Sequence, residues 1–342
     1  MSFLKPRFQK SALESTEDFR TALGNWFAVT GKDYPWRRTK EPYAILVSEM
    51  MLQQTRIATV LGRGFYARFL EKFPDVESLA KAGDEELLKA WEGLGYYRRA
   101  RMLRDTAKVV IERHGGCFPD DEAMLMDLPG IGPYTCAALL AFAFGKSSSL
   151  VDGNVSRVLS RLMDDTEAID STPTIKRHRE WAGTLCDPAD PARHHHAMME
   201  LGQTICSNGV PDCVSCPVAS FCKTSSPQDL PVKKPRAKTT ETTEHAVWSK
   251  DKKGRVLLHH ETGSRRTGLW KLPLRSAIQC AGLTKISETI YHITRYKVSL
   301  NVYLWDTDGL ESGDEWITLE RLDTLPMATP FRKVLDRLLA DF

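Results

Sequence analysis

Four cysteines crowded into 17 residues constrain this chain more than any other feature of its sequence. Their spacing is Cys206-x6-Cys213-x2-Cys216-x5-Cys222. Four thiolates on one short loop suit a [4Fe–4S] cluster or a tetrahedral zinc ion. Zinc ribbons usually pair two C-x2-C knuckles, whereas this loop has one such pair and long, unequal outer spacings. Zinc and four unligated buried cysteines remain as the alternatives.

Composition indicates a globular protein inside a cell. The chain has 342 residues, of which 42% are hydrophobic and 27% charged. It shows no apolar run long enough for a bilayer and no apolar segment of a secretory signal near its start, so we expect no membrane association. The expected location is intracellular, which in a bacterium means the cytoplasm or nucleoid. The net charge of +3 does not indicate a nucleic-acid partner.

Periodicity divides the chain into two domains and a linker. Apolar residues recur at three- and four-residue spacing through most of residues 1–222, which predicts a domain of many short helices ending in the loop 206–222. Residues 223–243 are rich in Pro, Lys, Ser and Thr and predict a linker. Residues 244–342 show signals for short strands over 246–248, 256–260 and 270–274, an alternation over 298–305 and a helical end, which together predict a smaller α+β domain.

A glycine-rich turn precedes an apolar helix. In the segment 128–135, Gly130 and Gly132 flank Ile131, and a helix is predicted to follow at once. Bare backbone N–H groups at a helix N-terminus form a phosphate site without side-chain charge. A plain helix–turn–helix corner is the alternative.

Two acidic residues stand out by their surroundings. Asp152, followed by Gly153 and Asn154, lies just before an amphipathic segment, where an Asp is most often a simple N-cap. Glu49 is a single acid in an apolar helical stretch that ends in Gln-Gln-Thr. The alternative explanation of Glu49, without a catalytic role, is a partly buried Glu paired with an Arg.

Together these motifs resemble the helix-hairpin-helix DNA glycosylase superfamily. The order of hairpin, apolar helix and Asp, and the spacing of the four cysteines, are similar to those of endonuclease III and adenine DNA glycosylases over about residues 25–222. The string S-E-x-M-L-Q-Q-T resembles the motif of the adenine-specific family. The resemblance implies a [4Fe–4S] cluster on the four cysteines and a Nudix-like fold for residues 244–342.

The resemblance also implies the chemistry. Asp152 would face C1′ of a flipped nucleotide, held by Asn154, and would either stabilise an oxocarbenium ion electrostatically or bond to it transiently. Glu49 would protonate adenine at N7, so that adenine leaves as a neutral molecule. Tyr134 stands where strand-cleaving members have a Schiff-base lysine. We therefore expect base removal without efficient strand cleavage, with Tyr134 supporting Asp152 or the flipped sugar.

The remaining family positions describe how DNA is held. Those matching the adenine pocket are Trp36, Arg37 and Leu52, with His196 in a slot where the family has Gln or Glu. Those matching the loops that enter the duplex and touch the opposite base are Gln54, Thr55 and Tyr96. Four arginines follow Tyr96 at positions 98, 99, 101 and 104, and they suit phosphate contacts and a solvated helix face equally.

The C-terminal segment departs from the family pattern. In relatives a Phe-Ser-His hairpin tip touches 8-oxoguanine, and here the matching residues are Ile290, Tyr291 and His292. We expect His292 at the tip of a hairpin between Ile290 and Val298, with the Tyr291 hydroxyl in place of the serine. No acidic Nudix metal box follows the Gly-Leu-Trp segment that begins at Gly268, so nucleotide hydrolysis is not expected.

The resemblance implies a monomeric, monofunctional glycosylase that acts on double-stranded DNA containing adenine opposite 8-oxoguanine or guanine. A thymine or uracil mismatch glycosylase of the same superfamily is the first alternative, since Tyr134 occurs there too. A non-catalytic DNA-binding protein is the second, and Glu49, Asp152 and Asn154 together argue against it.

Overall fold

A computed structural model describes residues 12–235, 238–263, 266–306 and 309–341. The start of the predicted first domain (1–11), two residues of the predicted linker (236–237) and Phe342 lie outside the described residues. The chain divides into two compact units that are not consecutive in sequence: residues 1–50 with 109–235, and residues 51–108 with 236–342. Among the described residues no helix has the length and apolar character needed to cross a membrane.

The first unit is helical. Its helices are α1 (Thr16–Thr30), α2 (Pro42–Leu52, up to Met50), the end of α7 (Arg98–His114), α8 (Glu122–Met126), α9 (Pro133–Phe142), α10 (Gly153–Met163), α11 (Thr172–Leu185) and α12 (Pro191–Thr204). Its core includes the apolar stripe of α10, with Val155, Val158 and Leu159, which packs on α11 and α12, and α1 packs on α12 in turn. This stripe has the three- and four-residue spacing that the sequence predicts for an amphipathic helix.

The second unit combines helices and two sheets. Its helices are α3 (Ile57–Gly62), α4 (Phe65–Lys72), α5 (Val76–Lys81), α6 (Asp84–Ala90), most of α7, α13 (Leu319–Leu322) and α14 (Thr329–Asp341). Its strands are β1 (Thr240–Trp248), β2 (Val256–His260), β3 (Trp270–Lys271), β4 (Leu274–Arg275), β5 (Lys285–Ile293), β6 (Tyr296–Leu304) and β7 (Asp314–Ile317).

Strand pairing produces one mixed and one antiparallel sheet. The first has the order β4-β1-β6-β5, in which β1 and β6 run parallel, and the second has the order β3-β2-β7. On β6 the residues Val298, Leu300 and Val302 are buried and their neighbours are not, as the alternation predicts. Pro273 separates β3 from β4, so the strand expected over 270–274 is interrupted, because proline cannot donate to a ladder.

Candidate active site

Glu49 is almost fully buried on α2, at 4% exposure. The pKa of its carboxyl is raised to about 7, mainly by burial; a hydrogen bond from the Tyr134 hydroxyl acts to lower it, and the negative charge of Asp152 acts to raise it. Burial also raises the pKa of Tyr134, so this phenol stays protonated and donates. The structure therefore brings Glu49, Tyr134 and Asp152 together and leaves one carboxyl able to carry a proton near neutral pH.

Asp152 is the N-cap of α10, as its position just before the helix predicts. Both of its carboxylate oxygens accept hydrogen bonds. Oδ1 accepts from the backbone N–H groups of Asn154 at 2.9 Å and Val155 at 2.7 Å. Oδ2 accepts from the Asn154 side-chain amide at 3.0 Å. The carboxylate is thus fixed in orientation by three donors, and the expected support from Asn154 is present.

Asn154 is itself held from two sides. Arg157 donates to the Asn154 side-chain oxygen at 3.0 Å and to the carbonyl oxygens of Gly202 at 2.6 Å and Cys206 at 2.9 Å. A Cβ placed on Gly202 would lie 2.8 Å from the Cβ of Asn154, so only glycine lets α12 approach this closely. Neither Arg157 nor Gly202 was predicted from the sequence, and Gly202 belongs to no recognisable motif.

The turn before α9 has the geometry that its glycines predict. Gly130 has φ +78°, a conformation that side chains disfavour. Gly132 is the N-cap of α9, and a Cβ there would meet nothing within 4 Å. Contacts within the chain therefore do not require a glycine at 132.

The cysteine loop (residues 206–222) packs against the core of the first unit through Cys206, Cys216 and Cys222. Burial, and after it the other three thiols of the loop, raise the pKa of Cys216 to about 12, so the four lie near one another. Among the described residues, no group of three or more ligating side chains has the compact arrangement of a closed metal site.

A buried guanidinium braces this loop. Arg161, at 1% exposure, donates to the carbonyl oxygens of Ser207 at 2.8 Å and Gly209 at 2.9 Å and to the Cys206 sulfur at 3.3 Å. A positive charge beside the sulfurs favours thiolates, so the donor set fits a metal or cluster chemically. Arg157 and Arg161 interrupt the buried side of an amphipathic helix, and that signal was available in the sequence.

A cavity of about 440 Å³ in the first unit is lined by Trp36, Arg37 and His196 among others. The His196 ring stacks on Phe142, with 4.1 Å between centroids and 8° between planes. Burial lowers the pKa of His196 to about 3, so the imidazole is neutral at physiological pH. The structure thus brings together three of the four residues predicted for the adenine pocket. Leu52, the last residue of α2, belongs to the second unit.

Glu200 was not among the residues that the sequence predicted for the site. Its side chain is 1% exposed and lies 3.0 Å from Arg37 and 3.7 Å from Lys32. A single Glu in the apolar stretch Ala197–Leu201 is the same kind of signal that singled out Glu49. Glu200 is a buried acid paired with an arginine. This is the arrangement that the sequence analysis gave as the alternative explanation of Glu49.

In the second unit a groove of about 920 Å³ brings together Gln54, Tyr96 and His292. Among the described residues, five arginines line it, Arg98, Arg99, Arg101, Arg266 and Arg295, and no acidic residue does. Tyr96 is 52% exposed. Thr55 follows Gln54 but is not among the residues that line the groove. The charge of the groove suits a polyanion.

The expected hairpin tip is wrong. The strands pair through His292 with Lys297 and Ile293 with Tyr296, so the tip is Thr294–Arg295, and His292 lies within β5. Tyr291 lines the same groove as His292 but is only 8% exposed. Its hydroxyl donates to Glu244 at 2.7 Å and accepts from Arg266 at 2.6 Å, so it is engaged within the protein.

The chain is similar to known DNA glycosylases in sequence and in fold. Residues 47–182 match the model of the HhH-GPD superfamily of base excision DNA repair proteins. The chain is 41% identical over 216 residues to a human adenine DNA glycosylase, covering 60% of this chain but 39% of the human protein. It is 38% identical to the adenine DNA glycosylase of Mycolicibacterium smegmatis, covering 59% of this chain and 67% of the relative. A solved thermostable thymine-DNA glycosylase superimposes with TM-score 0.57 at 30% identity, covering 62% of this chain and 97% of that one.

Proposed function

Since the chain belongs to the adenine DNA glycosylase family of HhH-GPD base excision repair proteins, we propose that it removes adenine mispaired with 8-oxoguanine or guanine in double-stranded DNA and leaves an abasic site. The observation that carries the proposal is Glu49, a buried carboxyl with a pKa of about 7 beside Asp152.

The first step is cleavage of the N-glycosidic bond. Glu49 gives its proton to N7 of the flipped adenine, and the bonding electron pair leaves with the base, which departs as neutral adenine. The Tyr134 hydrogen bond orients the Glu49 carboxyl and keeps its pKa from rising further.

The positive charge left on the sugar is stabilised by Asp152. Its carboxylate is held in one orientation by three donors, so it does not need to reorganise as charge develops at C1′. Water then adds to C1′ and gives up a proton to the carboxylate that Glu49 became in the first step, which completes the hydrolysis. Because Tyr134 has no amine, no Schiff base forms at its position and the strand stays intact.

DNA backbone binding is assigned to the turn before α9. Gly132 is not needed for packing within the chain, as no atom lies within 4 Å of its missing Cβ. A glycine is useful there when an external group such as a phosphate approaches the backbone N–H groups of the helix N-terminus.

A [4Fe–4S] cluster is the proposed cofactor of Cys206, Cys213, Cys216 and Cys222. When bound, it would order the cysteine loop and take no part in base removal. Arg161 supports this assignment, because its charge lies beside Cys206 and its other donors hold the loop carbonyls.

The adenine base is proposed to lie against Trp36, Arg37 and His196, which line one cavity of the first unit, while the role of Leu52 stays a prediction from the sequence. An indole offers a stacking face. Neutral His196 presents one donor and one acceptor in place of the Gln or Glu of relatives.

The opposite base is proposed to be read in the groove of the second unit. Tyr96 would enter the base stack, while Gln54, Thr55 and the hairpin tip Thr294–Arg295 would face the opposite base. His292 lines the same groove and remains a candidate contact. The region 244–342, with its mixed sheet and α14, is proposed to be Nudix-like. A monomeric state and an intracellular location stay predictions.

The test uses the full chain and three duplexes that differ in one pair: adenine opposite 8-oxoguanine, adenine opposite guanine, and thymine opposite guanine. We expect adenine release from the first two, faster from the first, and no thymine release. Thymine release without adenine release would favour the mismatch alternative, and tight duplex binding without release of any base would favour a non-catalytic protein.

A contact-level test concerns the hairpin. Arg295→Ala is expected to reduce the preference for 8-oxoguanine over guanine by about 5- to 150-fold, the range for one good polar contact. His292→Ala is the comparison. If His292→Ala reduces the preference more than Arg295→Ala does, His292 on β5 and not the hairpin tip contacts the opposite base.

A further inference from the structure

Arg99 differs from the other arginines at the start of α7. Arg101 and Arg104 form ion pairs with Asp84, and Arg98 is exposed. Arg99 is only 7% exposed and directs its side-chain donors to backbone carbonyls. With so little free surface it is not a phosphate contact, and its role lies inside the protein.

The Arg99 guanidinium bridges two loops. One terminal nitrogen donates to the carbonyl of Met51 at 3.1 Å and to that of Gln53. The other donates to the carbonyls of Leu94 and Gly95, both at 3.2 Å. The planar fork of arginine supplies donors in fixed directions, so a single side chain sets the distance between the two loops.

Each of these loops carries a strained residue next to an Arg99 acceptor. Gln54 has φ +59° and Tyr96 has φ +48°, a region that residues with a Cβ rarely adopt. Gln53 directly precedes Gln54, and Gly95 directly precedes Tyr96. Such conformations persist when the surroundings determine them, and here the common determinant is Arg99.

Ring contacts strengthen the arrangement. The guanidinium lies 5.6 Å from the Tyr96 ring centroid and 5.5 Å from that of Trp91, within the range of cation–π attraction. Burial lowers the pKa of Arg99 to about 10, so the group remains a cation at neutral pH.

We propose that Arg99 is a positioning residue that locks Gln54 and Tyr96 into their strained conformations as one preformed unit, so that both enter the duplex together. The inference rests on the proposed function of these two residues at the opposite strand. It predicts that the two loops lose order together when the bridge is removed.

The first experiment measures amide hydrogen exchange in the free full-length protein. Arg99→Met should speed exchange by about tenfold or more in both segments 51–56 and 93–98. Arg104→Met is the matched control, since Arg104 lies on the same helix and also donates to a carbonyl, that of Ala82, but to neither loop. Unchanged exchange, or faster exchange in one segment only, overturns the proposal. If Arg99→Met does not fold, Arg99→Lys, which retains the charge but reaches fewer carbonyls, is tested in the same way.

The second experiment is a double-mutant cycle on duplex affinity, with adenine opposite 8-oxoguanine as the probe. Tyr96→Ala should weaken binding in the wild type and add little in the Arg99→Met background, because Tyr96 is already displaced there. An equal effect in both backgrounds refutes the inference. If Tyr96→Ala has no effect in the wild type, the proposed role of Tyr96 fails, and the exchange result alone decides whether Arg99 orders the loops.

Discussion

Replacing Glu49 by glutamine should strongly reduce activity and stabilise the protein at the same time. The carboxyl has a pKa of about 7 in the folded chain, against an ordinary value of 4.5. Each pH unit between the two values corresponds to about 1.4 kcal/mol. Ionisation of Glu49 in the folded state therefore costs roughly 3 kcal/mol, and Glu49→Gln removes this cost.

The sign follows from which state holds the proton. Below pH 4.5 the carboxyl is protonated in both folded and unfolded chains and contributes no pH dependence. As pH rises towards 7 the unfolded chain loses this proton first, so folding becomes progressively less favourable, and above 7 the penalty is constant. The stability of Glu49→Gln relative to the wild type should thus grow by roughly 3 kcal/mol between pH 4.5 and pH 8.

Two assays test this. Urea unfolding followed by circular dichroism at both pH values gives the stability difference, with Glu85→Gln as the control, because Glu85 is an exposed carboxyl on α6. Single-turnover release of adenine should fall by about 100- to 10,000-fold in Glu49→Gln, while duplex binding is retained. If the stability difference is the same at pH 4.5 and pH 8, Glu49 does not carry a raised pKa and the acid mechanism loses its physical basis.

Three further predictions concern the candidate active site and the cysteine loop of the first unit. Tyr134→Phe removes the hydrogen bond that lowers the pKa of Glu49, so the alkaline limb of the rate profile should move to higher pH, and a shift to lower pH would contradict this. Gly202→Ala should lower single-turnover excision on the order of 100-fold by displacing Asn154 and with it Asp152, whereas Gly62→Ala, where a Cβ meets nothing, should not. The purified protein should be brown with about four iron atoms per chain, and stoichiometric zinc without visible absorbance would exclude the cluster.

Local patterns predicted much of this molecule. The helices α9 and α10, the strand β2 over Val256–His260 and the alternation of β6 follow from periodicity, because burying one face of an element fixes the spacing of its apolar residues. The conspicuous acids Glu49 and Asp152 were also found in the sequence, since an acid in an apolar stretch and an acid before a helix are both visible locally.

Other features depend on residues that are distant in sequence. The pKa of Glu49 depends on Tyr134 and Asp152, about 85 and 103 positions further along the chain. The grouping of residues 51–108 with the C-terminal region was not visible in composition, because long-range packing decides it.

The sequence by itself determined the type of the elements with clear periodicity, the cysteine spacing and the candidate acid Glu49, because these depend on neighbours within a few positions. Only the tertiary structure decided that the hairpin turns at Thr294–Arg295, that Tyr291 faces inward to Glu244, and that Arg99 is buried between two loops. Strand register shifts every side chain to the opposite face when it slips by one residue, and the target of a long side chain depends on which backbone packs against it. Neither is fixed by the residues on either side.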